Sequence, residues 1–131
     1  MSSLIVIPSY NSNDTLLELI NILNSSKLSS ILIIDDGSDI PFSCAEDSVT
    51  VIRNTRNMGK GYSLQRGFRY ADEMGFSDVG TLDADLQHNP SEIGSFLLAD
   101  SSYDLVLGYR ERTSSMPISR KLSNSITSFL I

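Results

Sequence analysis

Ser30-Ile31-Leu32-Ile33-Ile34-Asp35-Asp36-Gly37-Ser38 passes without a break from an apolar run into two carboxylates and a turn. Four apolar residues in succession, three of them β-branched, read as a strand buried on both faces, as strands of parallel sheets are. The acids and the glycine then end it at once. Leu4-Ile5-Val6-Ile7-Pro8 repeats the pattern and is closed by proline. Val49-Thr50-Val51-Ile52 predicts a third strand, Asp78-Val79-Gly80-Thr81 a short buried fourth, and Tyr103-Asp104-Leu105-Val106-Leu107-Gly108 a fifth.

Between the strands the apolar residues recur at helical spacing. Leu16, Leu17, Ile20 and Leu23 predict a helix capped by Ser12 or Asn13. Leu64, Phe68, Ala71 and Met74 predict a second, with Gly67 on the same side for close packing and Gly75 as its stop. Asn89-Pro90-Ser91-Glu92 has the cap, the first-turn proline and the glutamate of a helix start, with Ile93, Phe96 and Leu97 as the buried side. Pro117 opens a last amphipathic helix through Ile118, Leu122, Ile126 and Phe129. Strands alternating with helices imply right-handed crossovers, hence an α/β fold with a mostly parallel central sheet flanked by helices, in one domain over residues 1–131.

The net charge of −6 argues against nucleic acid as a partner. Residues 1–50 hold the single cation Lys27 against Asp14, Glu18, Asp35, Asp36, Asp39, Glu46 and Asp47. The remaining cations group as Arg53, Arg56, Lys60, Arg66, Arg69 and then Arg110, Arg112, Arg120, Lys121. Such groups bind phosphate, although most single members are solvated surface. A lone cysteine, Cys44, makes no internal disulfide, which points to a reducing, cytoplasmic setting and an inert loop thiol. No apolar run approaches the roughly 18 residues that a membrane span needs.

In open α/β sheets ligands bind beyond the carboxyl ends of the strands. There the chain places Pro8 and Tyr10, Asp35 and Asp36, then Asp83 and Asp85, then Arg110. The fourth strand is expected to carry Asp83 and Asp85 at its end, one residue apart in Leu82-Asp83-Ala84-Asp85-Leu86-Gln87-His88, so that they point the same way. Carboxylates so close resist joint ionisation unless a cation lies between them. Mg²⁺ suits that arrangement, because it takes one or two carboxylates together with phosphate oxygens. His88, with no second histidine or cysteine nearby, is expected to hold the loop and not to ligate.

Val6-Ile7-Pro8-Ser9-Tyr10-Asn11, Ile34-Asp35-Asp36-Gly37-Ser38, Asn57-Met58-Gly59-Lys60-Gly61, Leu82 to His88 and Gly108-Tyr109-Arg110 occur in that order. Together they resemble the family-2 glycosyltransferases of the GT-A fold, especially the dolichol-phosphate mannose synthase and polyprenyl-phosphate glycosyltransferase branch. The resemblance runs from about Leu4 to Asn124. It implies a Rossmann-like nucleotide-sugar-binding domain and an inverting transfer of a hexose from a UDP- or GDP-linked donor. The acceptor would be a polyprenyl phosphate, or in other branches a saccharide.

By the same resemblance Pro8 and Tyr10 line the nucleotide base and ribose, and Ile34 and Asp36 contact the base. Asp83 and Ala84 face the ribose and sugar. Asp85, helped by Gln87 and with Asp83 as a further candidate, holds Mg²⁺ or Mn²⁺ on the diphosphate. Arg110 meets the diphosphate or the acceptor phosphate, so that Asp83, Asp85 and Arg110 carry the catalysis. Two departures stand out: Ser12 replaces an acid common two residues after the tyrosine, and Leu86 replaces a glycine common before Gln-His. Family members run on past Ile131, which suggests an N-terminal fragment of a protein working at the cytoplasmic face of a membrane. Its last helix would then be left to self-associate.

Three rivals fit less well. A receiver domain places its acid pair after the first strand, a dehalogenase-type phosphatase needs Thr or Val where Gln87 stands, and a P-loop needs glycine where Asn54 stands. A non-catalytic nucleotide-sugar-binding module is the rival from another class.

Overall fold

A computed structural model describes residues 2–27, 30–99 and 102–108. The chain divides into two units, Met1–Ser101 and Ser102–Ile131. In the first unit the strands are β1 (Ser3–Ser9), β2 (Ser30–Asp35), β3 (Val49–Arg53) and β4 (Asp78–Thr81). The helices are α1 (Asn13–Ser26), α2 (Lys60–Glu73) and the short α3 (Ile93–Leu97), the last entered through a 3₁₀ turn at Pro90–Glu92. All strand pairs are parallel, in the order β3-β2-β1-β4. This is the expected Rossmann-like α/β arrangement of the GT-A fold.

Both faces of β1 and β2 are covered, and residue parity decides which helix covers which. Ile5, Ile7, Ile31 and Ile33 join Leu16, Leu19, Ile20 and Leu23 of α1, together with Phe42, Leu82 and Ile93. Leu4, Val6, Leu32 and Ile34 join Ala71 of α2 on the opposite face. The continuous apolar run is therefore two alternating faces, each with its own helix. In α1, Leu19 takes the core place expected of Leu17, which is exposed.

Helix α2 departs further from expectation. Its buried stripe is Ser63, Gly67 and Ala71, whereas Phe68 and Met74 are exposed. Gly67 explains this. A Cβ there would collide with Cγ1 of Val6, a fully buried side chain of β1. The helix lies so close to the sheet at Gly67 that its fully buried stripe is made of small residues, while Leu64, as expected, and Tyr70 pack partly buried against the same core cluster. Gly67→Val is expected to lower stability by about 2 kcal/mol, the overpacking penalty less a small gain in helix propensity. Urea denaturation measures it, and an unchanged midpoint would refute the close approach. Gly75 stops α2 as expected, with φ of 76°.

Two other expectations are corrected. The fourth strand is mostly exposed, because β4 is only four residues long and, among the described residues, has a strand neighbour on one side alone. Residues 103–108 form no strand, and Leu105 and Leu107 are exposed. An alternating apolar run becomes a strand only where a partner supplies the ladder, and among the described residues none does so. The predicted helix from Pro117 and any association through it lie outside the described residues.

Candidate functional site

A cleft of about 300 Å³ opens at the carboxyl ends of the strands. It is lined by Pro8, Ser9, Tyr10 and Ser12 from the exit of β1, Asp36 from β2, and Asn57, Gly59 and Lys60 from the entry to α2. Asp83, Ala84 and Asp85 complete it from the exit of β4. Six of the expected site residues, Pro8, Tyr10, Asp36, Asp83, Ala84 and Asp85, thus meet in one place. Ile34 does not line the cleft; it is fully buried in the core under α2. Gln87 is exposed and outside the lining, and its backbone N–H donates to Asp85 Oδ1 at 3.0 Å. Arg110 lies outside the described residues. His88 is exposed.

The paired acids are not on a strand, since the β4 ladder ends at Thr81. Their common direction has another cause. Leu82 and Ala84 are buried in the core, and their burial turns the alternate residues Asp83 and Asp85 towards the cleft. The next residue, Leu86, has φ of 58°, in the left-handed region that favours glycine. That is the position where glycine is common among the proteins this segment resembles. Here the side chain of Leu86 packs against the core instead.

The two acids at the end of β2 have separate duties. Asp36, barely exposed, accepts from the backbone N–H groups of Met58 at 2.8 Å and Gly59 at 2.9 Å, and from Asn54 Nδ2 at 2.8 Å. Asn54 in turn donates to Ser63 Oγ at 3.0 Å and accepts from Arg66 at 2.7 Å. Asp36 therefore anchors the Asn57–Gly59 loop, which delivers Lys60 to the cleft. The Lys60 ammonium pairs with Asp83.

Asp35 is completely buried and points away from the cleft lining. It accepts from Ser38 N and Phe42 N, each at 3.0 Å, and forms an ion pair with Arg53 at 2.7 Å. Parallel register places Arg53 directly beside Asp35. Burial pushes the carboxyl of Asp35 up, but hydrogen bonds from the Ser38 hydroxyl, Phe42 N–H, Ser38 N–H and Arg53 outweigh it. The group is held below its ordinary 3.8. Ser38 Oγ also accepts from Asn11 N at 2.9 Å, which ties the loop after β1 to the same network.

Sequence reading missed the lining residues Ser9, Ser12, Asn57 and Gly59, and gave Lys60 no role beyond a general cation. For Asn57 to Lys60 a signal existed in the glycine-flanked lysine before a helix.

Two carboxylates facing an open cleft, one of them already holding an ammonium, suit a hard divalent cation that takes its remaining ligands from phosphate and water. Among the described residues no group of three or more His, Cys, Asp or Glu side chains is placed to hold a metal, so any such ion would depend on the ligand's own oxygens.

A parallel α/β sheet with a cleft at the carboxyl ends of its strands is an arrangement in which ligands bind where the strand order reverses, here between β1 and β4. The chain belongs to glycosyl transferase family 2, whose profile matches residues 4–129. It is 33% identical over 134 residues to an undecaprenyl-phosphate mannosyltransferase of Micrococcus luteus, covering 93% of this chain and 55% of that one. It is 28% identical over 151 residues to a UDP-N-acetylglucosamine–dolichyl-phosphate N-acetylglucosaminyltransferase of Methanococcus voltae, covering 96% and 60%. An uncharacterized protein of Methanocaldococcus jannaschii is 27% identical over 135 residues, covering 95% and 58%. The chain thus spans somewhat over half the length of these relatives. Among the described residues no helix is long and apolar enough to cross a membrane.

Proposed function

We propose that the chain carries the donor site of an inverting hexosyltransferase that uses a UDP- or GDP-linked sugar and a divalent cation. The acceptor is a polyprenyl phosphate. The observation that carries the donor site is the meeting of Pro8, Tyr10, Asp36, Asp83 and Asp85 in one cleft from three strand ends. The acceptor rests on the two relatives whose names specify undecaprenyl and dolichyl phosphate.

Pro8 and Tyr10 offer an apolar and aromatic surface for a base, and the anchored Asn57–Gly59 loop bounds the cleft beside Asp36. Asp83 and Asp85 would hold Mg²⁺ or Mn²⁺, which when bound offsets charge on the departing diphosphate. Lys60, drawn from Asp83 by an incoming phosphate, adds a cation on the same side. In the reaction an oxygen of the acceptor phosphate bonds to the anomeric carbon as the bond to the diphosphate oxygen breaks. Attack from the opposite face inverts the configuration. The acceptor phosphate is already ionised, so no side chain need remove a proton.

The test is a thermal-shift screen of UDP- and GDP-sugars with Mn²⁺ and with EDTA. A ligand at about 100 times its Kd adds about 2.7 kcal/mol, so the matching donor should raise the midpoint by several degrees with metal and far less without. No shift with any nucleotide near millimolar concentration would overturn the reading. Turnover by the full-length protein, with polyprenyl phosphate present or absent, separates a transferase from a binding module.

A further inference from the structure

Among the described residues that line the cleft, Lys60 is the one cation, set against Asp36, Asp83 and Asp85. Asp36 is already engaged: it is buried and accepts from the N–H groups of Met58 and Gly59. Those bonds fix the backbone just before Lys60, where Gly59 caps α2. The lysine side chain beyond is 60% exposed, and its ammonium pairs with Asp83, itself 36% exposed. Lysine carries its charge on a flexible four-carbon stem, so the root is fixed while the ammonium can move. An exposed ion pair of this kind is weak enough to be exchanged for another. Asp83 is also one of the two carboxylates facing the cleft that a divalent cation could use, and among the described residues no third acid completes a metal site. The ammonium and the ion therefore compete for one carboxylate.

We propose that Lys60 is a counter-ion built into the acid pair, which makes divalent-cation binding depend on the nucleotide; this rests on the donor-site reading above. The charges decide it. Asp83, Asp85 and Lys60 together leave a single negative charge at this end of the cleft, and a divalent ion would turn it into a single positive one. That is a poor setting for the ion alone and a good one for a diphosphate. A diphosphate gives the ammonium a new anionic partner, and Asp83 is released to the metal. Metal and nucleotide then favour each other, and by linkage each raises the affinity of the other by the same factor. Without the ammonium the metal has no rival at Asp83, and that factor shrinks.

Lys60→Met keeps most of the stem and removes the charge, and losing a cation from a helix N-terminus does not weaken α2. Arg56→Gln, which removes a charge from the same loop, is the control. Mn²⁺ binding without nucleotide is read by electron paramagnetic resonance, and binding of UDP and GDP in Mn²⁺ by calorimetry. In Lys60→Met the affinity for Mn²⁺ alone should rise roughly 2- to 5-fold, the exchange value of an exposed pair. The affinity for the preferred nucleotide in Mn²⁺ should fall roughly 10-fold, because a charged hydrogen bond to phosphate is lost. The two effects have opposite signs, whereas a merely structural lysine would lower both. With the wild type binding nucleotide in Mn²⁺, an unchanged or weakened affinity for Mn²⁺ alone in Lys60→Met would overturn this inference by itself. So would an equal rise in Arg56→Gln, which would mark a general effect of charge, or a nucleotide affinity that does not fall. Failure of the wild type to bind either nucleotide in Mn²⁺ would overturn the donor-site reading and this inference with it.

Discussion

Asp85→Ala should abolish metal-dependent binding of a nucleoside diphosphate and leave the fold intact. Asp85 is exposed, and the hydrogen bond it accepts is local, from the N–H of Gln87 two residues on. Surface substitutions of that kind usually change stability by less than about 0.5 kcal/mol. The effect on binding should be far larger. Losing even an outer partner of a metal ligand typically costs 10- to 100-fold, so removing a carboxylate that would itself hold the ion should exceed about 100-fold. Titration calorimetry with UDP or GDP, with and without Mn²⁺, reads the difference directly. An unchanged metal-dependent affinity would show that Asp83 and Asp85 have been given the wrong role.

The largest loss of stability is expected at Asp35. Asp35→Ala removes the acceptor for the N–H groups of Ser38 and Phe42, both buried, and for the guanidinium of Arg53. Each buried donor left unpaired costs about 1–3 kcal/mol. The Arg53 side chain is 36% exposed, so water takes over much of its share. Together these give roughly 3–4 kcal/mol, a large part of the 5–15 kcal/mol typical of a domain. Urea unfolding should show the midpoint falling with little change in slope; a loss below about 1 kcal/mol would refute the network.

The pH dependence has a definite sign. The carboxyl of Asp35 is held below 3.8 in the folded chain, so the unfolded chain binds the proton more readily. Its contribution is fully present above that ordinary value and is lost as pH falls through the lower folded value. Wild-type stability should therefore decline more steeply on acidification in that window than that of Asp35→Ala.

Strand existence was readable because Leu4 to Ile7 and Ile31 to Ile34 have no polar residue to spare for solvent. A run of that kind has to be covered on both faces. The meeting of Pro8, Tyr10, Asp36, Asp83 and Asp85 was readable for a related reason: in a parallel sheet every carboxyl strand end faces the same edge. Side-chain duties were harder to read. Phe68 and Met74 have the spacing of a buried face, but the face that α2 brings closest to Val6 runs through Ser63, Gly67 and Ala71 instead. Ile34 stands beside the acids in sequence, yet period two turns it under α2.

The remaining features depend on pairs distant in the chain. Asp36 meets the N–H groups of Met58 and Gly59, Lys60 meets Asp83, and Asp35 meets Arg53. Each pair is separated by at least 18 residues, and no local pattern encodes which of two adjacent acids will face the cleft. Local propensity and the hydrophobic pattern act within a turn of helix or a strand's pleat, so they set the elements and their end. The partners of a buried carboxylate or hydroxyl are chosen only when packing removes water and leaves it whatever donors the neighbouring elements supply.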